Sequence, residues 1–220
     1  VPDSVEPEPY LDYIDQRATT LAAAGKIPSF FPQHLKYITT NSYKGARFVN
    51  MDSLYPVLIF SHGITGSRHL HQAMFEYLVG RGYIVIAPDH SFDANLTIFP
   101  DGHVADYRSD ITGHPDSVNI RKMQIGTRGE DLAFIIDQLE RIQTGDIRSA
   151  LNGNVDLNKI AVGGHSYGGA TATVAAHWDQ RVKACIVLDS WVSSIPDETI
   201  ESGIRIPFLF IGRPTWEGSD

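Results

Sequence analysis

The chain has 220 residues, of which 18 are basic and 26 acidic, and its formal net charge at pH 7 is −8. A non-specific nucleic-acid binder needs a basic surface, so this balance argues against nucleic acid as a partner. Apolar residues make up 42% and charged residues 20%, which is typical of a globular chain. No apolar run approaches the roughly 18 residues of a transmembrane segment. The single cysteine, Cys185, excludes an internal disulfide and a cysteine-based zinc cluster.

The first 50 residues predict an arm followed by a helix. Residues 1–10 contain three prolines and are expected to be extended. Residues 11–25 have apolar side chains at helical spacing and end in glycine, which predicts a helix. Phe30 and Phe31 follow a proline and are expected to anchor a loop to the core. The first residue is valine rather than methionine, so the N-terminus does not indicate a compartment.

From residue 55 onward, five short apolar runs predict strands buried on both faces of a parallel sheet. They are residues 57–60, 83–87, 160–162, 184–188 and 207–211. The stretches between them predict three helices, at residues 69–79, 128–142 and 167–178. This alternation predicts an α/β fold with a mainly parallel central sheet flanked by helices. We expect one domain over residues 1–220, with an N-terminal arm and helix at 1–50 and the core at 51–220.

Residues 90–116 follow neither the helical nor the strand period. A loop of this length after a strand often shapes a binding site. A surface excursion without a ligand is the alternative.

The pentapeptide Gly164-His165-Ser166-Tyr167-Gly168 matches the G-x-S-x-G pattern of a nucleophilic serine. An apolar strand precedes it and an alanine-rich helix follows it, as a nucleophile elbow requires. The flanking Gly164 and Gly168 are expected because side chains there would collide with the neighbouring strand and helix. Ser166 is therefore the candidate nucleophile. A tight strand-to-helix turn with an incidental serine is the alternative.

The segment Phe60-Ser61-His62-Gly63-Ile64 ends the first predicted core strand. Acyl transfer needs two N–H donors for the oxyanion, one after the nucleophile and one in the loop after an earlier strand. The backbone amides of Ile64 and Tyr167 are therefore the candidate oxyanion hole. His62 is expected to support this loop rather than to act as the base.

Asp189 directly follows the fourth predicted strand, where open α/β sheets place their sites. It is the candidate acid of a Ser–Asp–His triad. Asp220 is a weaker rival, and Asp89 precedes the serine and is therefore out of order. A simple strand-end turn residue is the alternative for Asp189.

The triad order also demands a histidine after the acid. The nine histidines lie at positions 34, 62, 69, 71, 90, 103, 114, 165 and 177, so none follows Asp189. Either the base lies beyond Asp220, or the protein does not use a triad of this order. An open sheet ending after residue 211 would leave an unprotected apolar edge, which favours the first interpretation. The 220 residues alone are then expected to lack the general base.

Three segments together resemble the platelet-activating factor acetylhydrolases, that is, the plasma-type and intracellular type-II enzymes and their bacterial relatives. The segments are residues 60–63, 164–171 and 188–191, and the likeness extends over residues 56–211. It implies an α/β-hydrolase fold that cleaves esters of short or oxidised acyl groups without a metal. It also implies Ser166 as nucleophile, Asp189 as acid, and the Ile64 and Tyr167 amides as oxyanion hole.

The resemblance has two departures, since the family supplies its histidine some tens of residues after the acid and opens its fold with N-terminal strands. Neither is evident here, so the fold is expected to be incomplete at both ends. The expected substrate is a small-molecule ester or a phospholipid, with no cofactor. A broader carboxylesterase, a polyester hydrolase, an acyltransferase or cyclase, and an inactive hydrolase-fold binding protein are the alternatives.

No metal site is expected from the histidines. His69 and His71 are two apart and do not share a helix face, and His103 and His114 lie in the long loop. All four are expected at the surface. Cys185 lies in an apolar run and is expected to be an inert core residue.

Overall fold

The computed structural model describes residues 6–49 and 53–213, which are organised around a five-stranded parallel sheet. In chain order, its strands are β1 (Tyr55–Ser61), β2 (Ile84–Ile86), β5 (Val155–His165), β6 (Val182–Leu188) and β7 (Phe208–Ile211). Their spatial order is β2-β1-β5-β6-β7, and every neighbouring pair is parallel. The predicted mainly parallel sheet is confirmed.

Among the described residues, six helices accompany the sheet. They are α1 (Ile14–Gly25), α2 (Phe30–Gln33), α3 (Gln72–Val79), α4 (Ser117–Thr144), α5 (Tyr167–Trp178) and α6 (Asp197–Ser202). Two 3₁₀ turns cover His34–Tyr37 and Val192–Ser194. Among the described helices, none combines the length and apolar character needed to cross a bilayer.

The side-chain alternation of β1 explains why helices cover both faces of the sheet. Val57 and Ile59 belong to the core cluster that includes residues of α4 and α5, whereas Leu58 and Phe60 pack in the cluster that includes α3. Successive strand residues point to opposite faces, so an unbroken apolar run needs helices on each side. The sheet is therefore a sandwiched layer, as the apolar runs predicted.

The prediction that the last strand is buried on both faces is wrong. Phe208, Leu209, Phe210 and Ile211 are each 40–52% exposed. The strand lies at the end of the sheet order, with β6 as its strand neighbour. An apolar run fixes the strand conformation, but burial depends on what packs against it.

Two predictions about irregular segments also need correction. Phe30 and Phe31 begin the short helix α2 rather than a loop, and they are 58% and 55% exposed rather than anchored. The long loop at residues 90–116 contains an antiparallel hairpin of β3 (Leu96–Ile98) and β4 (Val104–Asp106). Three-residue strands are too short to show a period of two.

Ion pairs join the N-terminal segment to the core. The buried Arg17 of α1 donates to Asp12 at 2.7 Å and to the carbonyl of Leu96 at 2.7 Å. Arg68 donates to Asp12 and, at 2.6 Å, to the almost fully buried carboxylate of Asp89. Residues 1–5 lie outside the described residues, so the predicted extended arm is described only from residue 6.

Candidate active site

Ser166 lies in the turn between β5 and α5 with backbone angles of φ 54° and ψ −117°. A non-glycine residue with positive φ stores strain, which persists only where the surroundings enforce it. The strand ahead and the helix behind provide that enforcement, and Gly169 and Ala170 both donate to the Ser166 carbonyl. This is the strand–turn–helix setting that the motif predicted.

The two flanking glycines are required by close backbone contacts. A Cβ built on Gly164 would lie 2.0 Å from the Gly168 carbonyl oxygen, and one on Gly168 would lie 2.0 Å from that of Ser61. Any side chain at either position would therefore displace backbone in β1, β5 or α5. The turn is packed against the end of β1, which brings the loop after β1 next to the serine.

Gly168→Ala is expected to destabilise the fold by at least about 3 kcal/mol, because no flexible side chain can move aside for the new methyl group. Urea unfolding of the variant measures this loss. Gly126→Ala is the matched control. The new Cβ would meet only the Trp178 ring at 3.4 Å, in a helix where alanine gains roughly 0.5–1 kcal/mol over glycine. Equal stability of the two variants would contradict the packing described here.

The loop after β1 places Gly63 against the serine, since a Cβ on Gly63 would lie 3.4 Å from Ser166 Cβ. Gly66 N–H donates to Gly63 O at 3.0 Å, and Thr65 N–H donates to Asp93 O at 3.0 Å. Within the described part of the chain, the N–H groups of Ile64 and Tyr167 donate no hydrogen bond to the protein. Neither candidate oxyanion donor is thus committed to a hydrogen bond within these residues.

Asp189 follows β6 directly and is brought beside the serine through backbone contacts. Ser166 N–H donates to Leu188 O at 2.8 Å, and Trp191 N–H donates to Ser166 O at 3.1 Å. Asp189 has φ 49°, and its carboxylate forms an ion pair with Arg213 Nε at 3.1 Å. The assignment of Asp189 as the triad acid remains a prediction.

Of the two rival acids, Asp89 is engaged elsewhere, in the buried ion pairs with Arg68 and Arg17. That environment suits a structural carboxylate. Asp220 lies outside the described residues.

His62 is buried, and both of its ring nitrogens form hydrogen bonds. Its Nε2 accepts from His90 N–H at 3.1 Å, so its Nδ1–H donates to Gly63 O at 2.6 Å. Burial lowers the pKa of His62 well below its ordinary value, and the nearby Arg128 lowers it further. The ring is therefore neutral and supports the loop, in agreement with the sequence analysis.

The expectation of surface positions is wrong for two of the four histidines considered as metal ligands. The side chain of His69 is 12% exposed and near Asp12, and His71 packs against Phe60 and His165. Burial and His165 together lower the pKa of His71. The other two, His103 and His114, are exposed. Across residues 6–49 and 53–213, no group of three potential ligands is arranged to hold a metal ion.

No histidine of the described residues forms a hydrogen bond with Ser166 Oγ.

Cys185 is buried, and burial raises the pKa of its thiol to about 12, which fits an inert core position.

A buried polar network beneath the loop after β1 was missed by the sequence analysis. Arg128 of α4 donates to Ser61 Oγ, which also contacts His90, and His90 contacts Asp131. The available signal was the position of Arg128 on the apolar face of α4, three residues after the buried Ile125 and four before Leu132. A buried charge needs partners, so this position indicated a polar site inside the fold.

Comparison with known proteins identifies a family for this chain and a fold. The model of the family platelet-activating factor acetylhydrolase, isoform II, matches residues 10–219. The platelet-activating factor acetylhydrolase of Canis lupus familiaris is 30% identical over 212 residues, covering 88% of this chain and 47% of that protein. That of Cavia porcellus is 31% identical over 183 residues, covering 76% and 42%.

Among solved structures, a ferulic acid esterase from Streptomyces cinnamoneus superimposes with a TM-score of 0.74 at 28% identity, covering 96% of this chain and 54% of that one. This chain spans less than half the length of the two curated relatives. The family match extends over nearly all of its residues, and its fold is that of an esterase of the α/β-hydrolase class. The chain is therefore a member of the platelet-activating factor acetylhydrolase isoform II family.

Proposed function

We propose that the full-length protein is a serine hydrolase that cleaves short-chain carboxylic esters, including acyl esters of phospholipids, through an acyl-enzyme. The observation that supports this most directly is the strained Ser166 beside two backbone N–H groups, of Ile64 and Tyr167, that no described residue uses. A serine of this kind at a helix N-terminus is suited to attack a carbonyl whose oxygen becomes negative.

In acylation, Ser166 Oγ forms a bond to the ester carbonyl carbon while its proton passes to a histidine base. The carbonyl oxygen becomes an oxyanion that accepts hydrogen bonds from Ile64 and Tyr167. Collapse breaks the ester C–O bond, and the histidine returns the proton to the leaving alcohol. Water then attacks the acyl-enzyme by the same route in reverse, releasing the acid and Ser166.

We propose that this base is a histidine outside the 220 residues and that Asp189 orients it. A cavity of about 300 Å³, lined by Ser190, Trp191, Phe210 and Arg213 among others, supports such an approach. The carboxylate of Asp189 already pairs there with the exposed Arg213, so it lies where it can hold a cationic partner.

A broader carboxylesterase is the second candidate, favoured by the likeness to a ferulic acid esterase over 96% of this chain. The same elbow and oxyanion hole serve both, since a fold does not fix a substrate. Turnover of p-nitrophenyl acetate, butyrate and palmitate and of methyl ferulate separates the two. If the protein prefers short acyl groups, as we propose, turnover is expected to be highest with the acetate. Higher turnover of methyl ferulate or of the palmitate ester would favour the broader carboxylesterase.

The proposal is tested by treating the full-length protein with a fluorophosphonate probe and mapping the labelled peptide. An activated serine is expected to react at Ser166, with turnover of p-nitrophenyl acetate in the unlabelled protein that the probe abolishes. An absence of both labelling and turnover would favour a hydrolase-fold binding protein without catalytic activity.

A further inference from the structure

Arg128 lies between the two elements that hold the proposed oxyanion donors. On one side its Nη2 donates to the backbone carbonyl of His62 and, at 3.0 Å, to Ser61 Oγ. On the other side its guanidinium carbon lies 5.2 Å from the centre of the Tyr167 ring. Arg128 is 2% exposed, and burial lowers its pKa to about 10, so it remains a cation at neutral pH.

The hydrogen bonds around Arg128 follow one consistent direction. The Asp131 carboxylate accepts a hydrogen bond from His90 Nδ1–H at 2.7 Å. The Nε2 of the neutral His90 ring therefore accepts from the Ser61 hydroxyl at 2.9 Å, while Ser61 Oγ accepts from Arg128. His90 N–H also donates to His62. Each ring therefore has one proton and is neutral, in agreement with burial lowering the pKa of both histidines.

The Ser61–His90–Asp131 chain has the order of a catalytic triad, but Ser61 cannot be a nucleophile. Its side chain is 0% exposed, and its oxygen accepts a hydrogen bond from Arg128. No substrate carbonyl can approach it without displacing the core. Any effect of the network on a substrate must therefore pass through the backbone that it holds.

That backbone belongs to the proposed oxyanion hole. Ser61 and His62 immediately precede Gly63 and Ile64, and Tyr167 is the residue after the proposed nucleophile. We propose that Arg128 is a positioning residue that fixes the spacing between the N–H groups of Ile64 and Tyr167, with Ser61 and His90 completing its network. This inference rests on the proposed function.

The guanidinium shape matters for this role. Arg128 directs Nη2 at the loop after β1, lies over the Tyr167 ring, and has its Nε 3.8 Å from the carboxylate of Asp93. Both hydrogen bonds to the loop come from Nη2, and Nε and Nη1 have no hydrogen-bond partner among the described residues. The planar guanidinium can reach the loop while it lies over the Tyr167 ring, whereas the compact ammonium of lysine keeps the charge but not this planar shape. Replacing arginine by lysine therefore separates positioning from mere charge compensation of Asp93.

The test compares Arg128→Lys with Arg141→Lys in the full-length protein. Arg141 lies on the same helix and is exposed, and its side chain donates a hydrogen bond to the side chain of Gln138. With p-nitrophenyl acetate, Arg128→Lys is expected to lower kcat roughly 10- to 100-fold with KM within about threefold, since oxyanion donors act mainly in the transition state. Arg141→Lys is expected to match the wild type.

A trifluoromethyl ketone inhibitor provides a readout that a purely structural role would not move. Its hemiketal oxygen would occupy the same N–H pair, so its Kd is expected to rise by about the same factor as kcat falls in Arg128→Lys. Ser61→Ala removes the hydroxyl but leaves the guanidinium in place, and a loss in kcat of about tenfold is expected.

The positioning role is overturned if folded Arg128→Lys keeps kcat and inhibitor affinity within threefold of the wild type. If Arg128→Lys does not fold, wild-type kcat in Ser61→Ala overturns it. If the wild type is active and is labelled by the fluorophosphonate, either of these two results leaves the proposed function intact. An inactive and unlabelled wild type instead rejects the proposed function, and the positioning role with it.

Discussion

Ser166→Ala is expected to lower kcat of the full-length protein by about 10⁶-fold, the loss typical of removing a serine nucleophile. The substitution should not unfold the protein. Ser166 Oγ forms no hydrogen bond within the described part of the chain, and alanine adds no atom to the crowded turn. Hydrolysis of p-nitrophenyl acetate measures the activity, and thermal unfolding measures the stability.

Ser202→Ala provides the matched control, because Ser202 is the exposed last residue of α6 and lies outside the turn. It should retain wild-type kcat and fluorophosphonate labelling, while Ser166→Ala should lose both. Unchanged hydrolysis by folded Ser166→Ala would remove this serine from the mechanism. The elbow would then be only a tight turn between β5 and α5.

The turn around Ser166 was predictable because the strand–turn–helix motif carries its requirements in adjacent residues. Glycine at positions 164 and 168 is needed because the turn is packed tightly against itself and against the neighbouring strand β1. The bounds of α5, which begins at Tyr167 and ends at Trp178, agree with the prediction from the alanine-rich run. In such segments the motif indicates the structure even though one packing partner, the Ser61 carbonyl, is distant in the chain.

Burial was less predictable because it depends on partners distant in the chain. Phe30 and Phe208 are apolar and were expected inside, yet both are exposed. Strand β5 is eleven residues long, although only residues 160–162 were predicted. Its first half contains Asp156, Asn158 and Lys159, which interrupt the apolar pattern. Composition indicates which residues prefer burial, but not whether another element covers them.

The polar network under the loop after β1 could not be predicted from sequence motifs. Ser61 and Arg128 are 67 positions apart, and His90 and Asp131 are 41 apart. No spacing rule connects residues at such separations. The charged side chain on the buried face of α4 was the one local sign, and it indicated a partner without identifying it.

Asp189→Asn is expected to lower kcat by about 10⁴-fold, because an amide cannot hold a triad histidine in the tautomer that accepts the serine proton. The backbone should tolerate the change. Asp189 has φ 49°, a conformation that asparagine adopts as readily as aspartate. The ion pair with Arg213 involves an exposed guanidinium, so its loss should cost at most about 1 kcal/mol.

Two further variants make the Asp189 prediction decisive. Asp197→Asn removes a carboxylate that is 80% exposed and paired with Lys122, and it should keep wild-type kcat. Asp220→Asn tests the rival acid. If Asp220→Asn abolished turnover while Asp189→Asn kept kcat within tenfold of the wild type, the acid would have been assigned to the wrong position.

A large loss confined to Asp189→Asn, at unchanged stability, would instead require a histidine partner at this carboxylate. Because none of the nine histidines follows it in these 220 residues, that result would direct the search for the base to chain outside them.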